Sequence, residues 1–170
     1  MPAREPIVSS AHLASGQAAE MSQLEYALIN AGNAFERWMT HCMAAAGGPD
    51  LSALDVLVLH HANHRDREKT LAGICLVLNI EDSHLVSYSL KKLRRLELVS
   101  SRRRGKESAY KVTEKGQQLC KRYREVRETC LIDTLTALGG PGMEEIARVA
   151  LQLRALSGVY DQAARAASSL

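Results

Sequence analysis

The chain has 170 residues, enough for one domain with helical extensions, and 46% of them are hydrophobic, which is sufficient for a core. Aromatic residues make up only 4%, whereas Leu and Ala are abundant, so the composition favours helices over a sandwich or barrel. The net charge of +3 conceals an uneven distribution, because residues 91–127 contain fourteen Lys or Arg and four Asp or Glu. This local charge of +10 leaves −7 for the remainder and indicates an anionic partner such as nucleic acid.

Several other classes of protein are excluded or disfavoured. No run of apolar residues approaches the length of a membrane span, and no segment combines basic charge with exposed Trp or Phe as a membrane-surface helix does. The N-terminus lacks the apolar segment of a signal peptide, and the four Cys are scattered without a Cys-x-x-Cys motif. We therefore expect a protein of a reducing cytoplasm.

The N-terminal part predicts a mobile arm followed by a dimerisation helix. Residues 1–19 carry Pro and Gly without an apolar period and are assigned to the arm. Over residues 20–46, apolar residues recur at steps of three and four, which is typical of a helix that pairs with another helix, in the same chain or across a dimer. Gly47-Gly48-Pro49 should end this helix. The candidate interface residues are Leu24, Leu28, Phe35 and Trp38.

A second helix is predicted over Leu51–His61, followed by a charged connector. His60 and His64 lie one helical turn apart, and His41 on the preceding helix could complete a metal site. The simpler interpretation is that histidines at a helix C-terminus cap carbonyl groups and interact favourably with the helix dipole. We favour the simpler interpretation and expect no cofactor.

Two helices separated by a break follow. The first covers Thr70–Leu78 and contains Cys75 within an apolar stretch, where we expect the thiol to be buried. After a break at Asn79, Asp82 suits the N-cap of the second helix, because its carboxylate can accept a hydrogen bond from a first-turn amide. This second helix should bury Val86, Leu90 and Leu93.

The opposite face of the second helix carries hydrogen-bonding side chains suited to base edges, and the segment after it carries cations suited to phosphates. Leu98–Arg103 and Ala109–Val112 predict a β-hairpin with Gly105 in its turn, since Gly tolerates a positive φ. The residues predicted to read bases are Ser83, His84, Ser87 and Tyr88. Those predicted to contact the DNA backbone are Lys91, Lys92, Arg102, Arg103, Arg104 and Lys106.

The C-terminal part, residues 113–167, predicts further dimerisation helices. Thr113 suits an N-cap, and the apolar side after it should run through Cys130 towards Leu138. Gly139-Gly140-Pro141-Gly142 breaks the chain before a last apolar helix that begins near Met143. Ile146 and Leu153 are its candidate interface residues.

Helix, turn, helix and hairpin over residues 51–112 form a winged helix-turn-helix, and the segment Leu51 to Gly116 resembles the MarR family of transcription regulators. The resemblance rests on the Leu51-Ser52 helix start, Asp82 at the second helix, a Leu-x-x-x-Gly-Leu-Val exit that reads LRRLELV here, and Thr-Glu-x-Gly at residues 113–116. Glu97 replaces the usual Gly, and the hairpin is short and lacks the family's Asp-x-Arg tip.

The resemblance implies a mainly α fold with a small β-hairpin wing, in which the winged helix-turn-helix is flanked by N- and C-terminal dimerisation helices that intertwine between two subunits. It also implies double-stranded DNA with a pseudo-palindromic operator as partner, and a small-molecule effector in a crevice beside those helices. Some MarR-like proteins sense oxidants through a cysteine, which makes Cys42 and Cys120 candidates, the latter because Lys121 and Arg122 follow it.

We therefore expect a homodimeric, sequence-specific DNA-binding transcription regulator, a repressor in the first instance. Two alternatives remain: a winged-helix protein-docking module without sequence-specific DNA binding, and a cysteine-based redox-sensing regulator. The strongly basic segment disfavours a docking surface, which is usually depleted of charge at its centre. No nucleophile–base pair or phosphate-binding Gly loop appears in the sequence, so we do not expect an enzyme.

Overall fold

The computed structural model describes residues 7–14, 18–105 and 107–170. These residues form two compact units, one that ends at Arg127 and one that covers Glu128–Leu170. Within the described ranges, no helix is both long enough and apolar enough to cross a membrane. Residues 1–6 and 15–17 of the predicted arm lie outside the described residues, and the described part of the arm contains a 3-10 turn at Ala11–Ala14.

Helix α1 (Ala19–Ala45) is the long N-terminal helix that the apolar spacing predicts. Its C-terminal half packs into the core through Met39, Cys42 and Met43, whereas most of its N-terminal half is exposed or half-buried. The helix ends where Gly47 adopts a φ of 73°, a left-handed conformation that costs glycine little.

Helix α2 (Ala53–Asn63) begins with a capping box. The Ser52 hydroxyl accepts a hydrogen bond from the Asp55 amide (3.2 Å), and the Asp55 carboxylate accepts one from the Ser52 amide (2.9 Å). Val56, Val58 and Leu59 of this helix are fully buried, which makes α2 the centre of the first unit's core. A 3-10 turn at His64–Asp66 then leads out of the helix.

Helices α3 (Leu71–Leu78) and α4 (Ser83–Arg95) form the helix-turn-helix. Thr70 caps α3 by accepting a hydrogen bond from the Gly73 amide at 3.1 Å. Asn79 ends α3 in a left-handed conformation with a φ of 52°, which confirms the predicted break. The expected burial of Cys75 is also confirmed.

Three short antiparallel strands form the wing, in the order β1-β3-β2. Strands β2 (Val99–Arg104) and β3 (Glu107–Val112) form the predicted hairpin, with Arg104 paired to Glu107 across the turn. Strand β1 (Lys69–Thr70), which the sequence did not predict, pairs with β3 and joins the connector after α2 to the wing. The mainly helical winged-helix fold is thereby confirmed.

Helix α5 (Glu114–Arg127) completes the first unit by packing against α1 and α2. Thr113 is its N-cap, as predicted, and accepts a hydrogen bond from the Gly116 amide at 3.1 Å. A Cβ atom at Gly116 would lie 2.3 Å from the Leu98 carbonyl oxygen, so any larger residue would push α5 away from the wing. Leu119 and Tyr123 extend the core from this helix.

The second unit contains a π-helical turn at Glu128–Ile132, a short helix α6 (Asp133–Ala137) and the long helix α7 (Met143–Ala167). The α-helical period of α5 does not continue through Cys130 as expected, because Glu128–Ile132 form the π turn. This cysteine is exposed in the chain as described. A π turn is closed by hydrogen bonds between residues five apart, so it breaks the 3.6-residue period of the stripe. In the chain as described, no residue of α7 is buried.

Candidate nucleic-acid interface

The outward face of α4 is built by its capping and its amphipathic spacing. The Asp82 carboxylate accepts a hydrogen bond from the His84 amide at 2.9 Å and fixes the first turn. Val86, Leu90 and Leu93 are buried, as predicted, and hold the other side of the helix against the core. The predicted DNA-contacting side chains Ser83, His84, Ser87, Tyr88 and Lys91 face outward, and of these only Ser87 is half-buried.

Two further cations lie at the C-terminal end of the same helix. Arg94 and Arg95 are exposed, and with Lys91 they line a cleft of about 560 Å³ between α4 and the start of β2. The sequence analysis did not include these arginines, although Arg95 follows Lys91 by four residues and therefore lies on the same face. Their addition makes the C-terminal half of the exposed face strongly cationic.

The Lys92 ammonium is paired within the domain and does not extend towards the proposed DNA as predicted. It donates a 2.7 Å hydrogen bond to Oδ2 of Asp55, whose side chain is only 4% exposed, and the Lys92 side chain itself is 23% exposed. The prediction that Lys92 contacts a phosphate therefore disagrees with the structure, because the charge already has a partner in the domain interior. We exclude Lys92 from the candidate interface.

Burial alone would raise the pKa of Asp55, but the Lys92 ammonium and the hydrogen bonds from Ser52 lower it below its usual value. The same carboxylate closes the capping box of α2, so it connects the start of α2 to the middle of α4. The Asp55–Lys92 ion pair therefore helps to fix the orientation of α4 against α2.

The wing presents arginines with different surroundings. Arg102 donates hydrogen bonds from Nε and Nη2 to the two carboxylate oxygens of Glu68, with the Nη2–Oε2 distance at 2.9 Å. This pair lowers the pKa of Glu68 and raises that of Arg102, chiefly through the hydrogen bond itself. Arg103 and Arg104 are exposed beside Gly105, whose φ is 62°. Lys106, predicted to contact the DNA backbone, lies outside the described residues.

A second cationic cleft lies beside the connector between α2 and α3. It has a volume of about 510 Å³, and Arg65 and Arg67 on its rim are exposed. The Lys69 ammonium donates a 2.7 Å hydrogen bond to the His64 carbonyl oxygen, and burial lowers the pKa of Lys69. The pKa of His61 is lowered by burial and then by the nearby charges of Lys69 and His64. The sequence analysis identified this connector only as a charged segment. The connector approaches the wing through strand β1, which the sequence did not predict.

The structure does not bring the candidate metal ligands together. The His60 ring lies edge-on to Tyr123 with centroids 4.5 Å apart, and burial lowers its pKa, whereas His41 and His64 are exposed. Among the residues that the structure describes, no group of three or more His, Cys, Asp or Glu is placed to hold a metal ion.

The two candidate redox cysteines are both buried. Burial raises the pKa of Cys120 to about 11, so the expected thiolate stabilisation by Lys121 and Arg122 is wrong. The Cys42 thiol donates a hydrogen bond to the Tyr123 carbonyl oxygen at 3.5 Å. Cys130 is the exposed cysteine among the residues described, and the sequence analysis did not select it.

The predicted dimer-interface residues differ in exposure within one chain. Trp38 packs partly against the core, whereas Phe35 is 54% exposed. On α7, Leu153 is 38% exposed and Ile146 is half-buried. Leu24 and Leu28 are also half-buried, so none of the six predicted residues is fully covered in the chain as described.

Comparison with known proteins gives the class of the central domain. Residues 51–116 match the family model described as a winged helix DNA-binding domain. Among proteins of curated function, none matches the sequence significantly.

Comparison with solved structures extends the similarity in fold from the central domain to most of the chain. AbfR of Staphylococcus epidermidis is 19% identical with a TM-score of 0.68, over 86% of this chain and 94% of that protein. A mutant MarR from E. coli complexed with operator DNA is 17% identical with a TM-score of 0.67, over 84% and 99%. A MarR family regulator from Neisseria meningitidis is 18% identical with a TM-score of 0.65, over 84% and 94%. The chain thus has the winged-helix fold of these MarR-family structures, and the resemblance in fold that its motifs indicated is confirmed.

Proposed function

We propose that this protein is a homodimeric transcription regulator that binds a pseudo-palindromic DNA operator sequence-specifically through α4. The observation that carries this proposal is the outward face of α4, where hydroxyl, imidazole, phenol and ammonium groups are exposed together on a helix whose opposite side is fixed in the core. A major groove admits one α-helix and presents donors and acceptors that such groups recognise. Ser83, His84, Ser87 and Tyr88 are the proposed base-reading residues.

The charge around this helix supports the same proposal. Lys91, Arg94 and Arg95 continue the face of α4, and Arg103 and Arg104 lie in the hairpin that follows. Contacts to phosphates position a protein on DNA without specifying sequence. We therefore assign base recognition to the first half of α4, and backbone contacts to its C-terminal half and the wing.

Dimerisation is proposed from the terminal helices. Helix α7 has 25 residues and buries none of them in the chain as described, and Val149, Leu151 and Leu153 are among its exposed apolar residues. Helix α1 likewise leaves Ile29 and Phe35 exposed. Apolar surface of this extent usually marks an association site. Two subunits would place two α4 helices about one DNA turn apart, roughly 34–36 Å, on a palindromic site.

We propose repression because a dimer that occupies its operator excludes other proteins from the same DNA. If a small-molecule effector releases the dimer, linkage requires DNA to weaken effector binding by the same factor as the effector weakens DNA binding. A compound that changes both the melting temperature and operator affinity would identify such an effector.

Selection of bound sequences from random duplex DNA tests the proposed function directly. We expect the full chain to enrich a motif with two inverted half-sites. The variant Tyr88→Ala should enrich a less defined motif, because it lacks one of the proposed base contacts. Its fold should be unchanged, since the outward phenol is 72% exposed and has no place in the core. Failure of the wild-type chain to enrich any motif would contradict the proposal and favour a protein-docking module.

A further inference from the structure

Leu85 is an exposed aliphatic side chain beside the polar and charged side chains of α4. It is the third residue of α4 and is 53% exposed. Tyr88, three residues further along, is 72% exposed. Residues three apart on a helix are neighbours, so Leu85 and Tyr88 form one apolar patch beside the hydrogen-bonding groups of the same helix.

An aliphatic side chain cannot bind a phosphate or hydrogen-bond a base edge. The apolar group that base pairs display in the major groove is the C5 methyl group of thymine. We propose that Leu85 contacts a thymine methyl group and thereby makes the protein select thymine over cytosine at one position of each half-site. This inference rests on the proposed function, in which α4 enters the major groove.

The backbone at Leu85 is fixed by the start of the helix. Its amide donates a hydrogen bond to the Asp82 carbonyl oxygen at 3.2 Å, while the Asp82 carboxylate caps the His84 amide. The N-terminal residues of a recognition helix are those that approach base edges most closely. Leu85 is therefore held in the part of α4 where a methyl group on a base can be reached.

The test removes single methyl groups from the DNA. Each thymine of the enriched operator is replaced in turn by deoxyuridine, which pairs with adenine in the same way and lacks only the C5 methyl. Burial of one methyl group contributes about a fourfold change in affinity. We expect wild-type affinity to fall about fourfold at one thymine of each half-site, and Leu85→Ala to bind both DNAs equally. Leu85→Val, which keeps part of the apolar surface, should give an intermediate ratio.

Leu76→Ala is the matched control, because Leu76 is an even more exposed leucine, at 82%, on α3. This variant should retain the fourfold preference for thymine over deoxyuridine. If no thymine responds, or if Leu85→Ala keeps the wild-type preference, the inference is overturned while the enriched motif still supports the proposed function. Failure to enrich any motif would overturn both.

Discussion

Replacement of Lys92 by Met tests whether this lysine stabilises the domain or binds DNA. Met retains most of the aliphatic chain of Lys but removes the ammonium that lies 2.7 Å from Asp55 Oδ2. The Asp55 carboxylate would then remain buried with the Ser52 hydrogen bond as its remaining strong partner. A neighbouring variant, Lys91→Met, provides the matched control because Lys91 is exposed on the outward face.

The magnitude follows from the burial of the two partners. Removal of one partner from a fully buried ion pair costs about 3–5 kcal/mol. Lys92 is still 23% exposed, and Asp55 keeps its capping hydrogen bond, so we expect a loss of about 2–3 kcal/mol. For a chain of this size that loss lowers the melting temperature by about 5–10 °C. Lys91→Met should leave stability nearly unchanged.

The pH dependence has a defined sign. The pKa of Asp55 is lowered in the folded state, so its contribution to stability is fully present above the ordinary value of 3.8 and is lost as the pH falls through the folded pKa. The difference in unfolding free energy between wild type and Lys92→Met should therefore be full at neutral pH and should shrink in acid below about pH 4. A double variant, Asp55→Asn with Lys92→Met, should lose less than the sum of the single losses.

Urea unfolding and the salt dependence of DNA affinity together show whether Lys92 stabilises the domain or binds DNA. Lys91→Met should reduce the salt slope by about one unit, and Lys92→Met should leave that slope unchanged. If Lys92→Met is as stable as wild type and instead reduces the slope, the Asp55–Lys92 pair does not form in solution. The sequence-based assignment of Lys92 to a phosphate would then be correct.

Three further outcomes follow from the structure. Glu97 has a φ of 61°, a conformation that costs a non-glycine residue about 1–2 kcal/mol, so Glu97→Gly should stabilise the protein in urea unfolding by about 0.5–1 kcal/mol, and destabilisation would contradict the assigned backbone. Sedimentation at micromolar concentration should give twice the chain mass of 18.6 kDa, Phe35→Glu should shift it towards monomer, and a monomeric wild type would refute the dimer. Cys42 and Cys120 should react with a thiol reagent at pH 8 only as fast as the protein unfolds, and rapid reaction of either in the native state would revive the redox hypothesis.

Local patterns in the sequence were sufficient to predict the helix-turn-helix and the hairpin. Asp82 and Thr113 are N-caps whose hydrogen bonds span only two or three residues, so the sequence around them contains all that is needed. The turn at Gly105 is likewise a local feature. The two-residue strand β1 could not be predicted, because a pair of residues carries no period.

An ion pair between distant segments accounts for the error at Lys92, and a second such pair, at Arg102, was also not predicted. Lys92 and Asp55 are 37 residues apart, and Arg102 and Glu68 are 34 apart, so helical or strand spacing reveals neither pair. The extension of the α5 stripe to Cys130 failed for a different reason. The π turn at Glu128–Ile132 changes the rotation per residue, and the sequence contains no Pro or Gly there to mark the change.

The central claim is that α4 reads bases while the wing contacts the DNA backbone, and the affinities of two variants test it most directly. The measurement compares operator and random duplex binding of Tyr88→Ala and Arg104→Ala across a range of salt concentrations. Tyr88→Ala should lose about 1–3 kcal/mol on the operator, narrow its preference over random DNA and keep the wild-type salt slope. Arg104→Ala should weaken binding to both DNAs equally and reduce the slope by about one unit. If the two variants behave in the same way, the division between helix and wing is wrong.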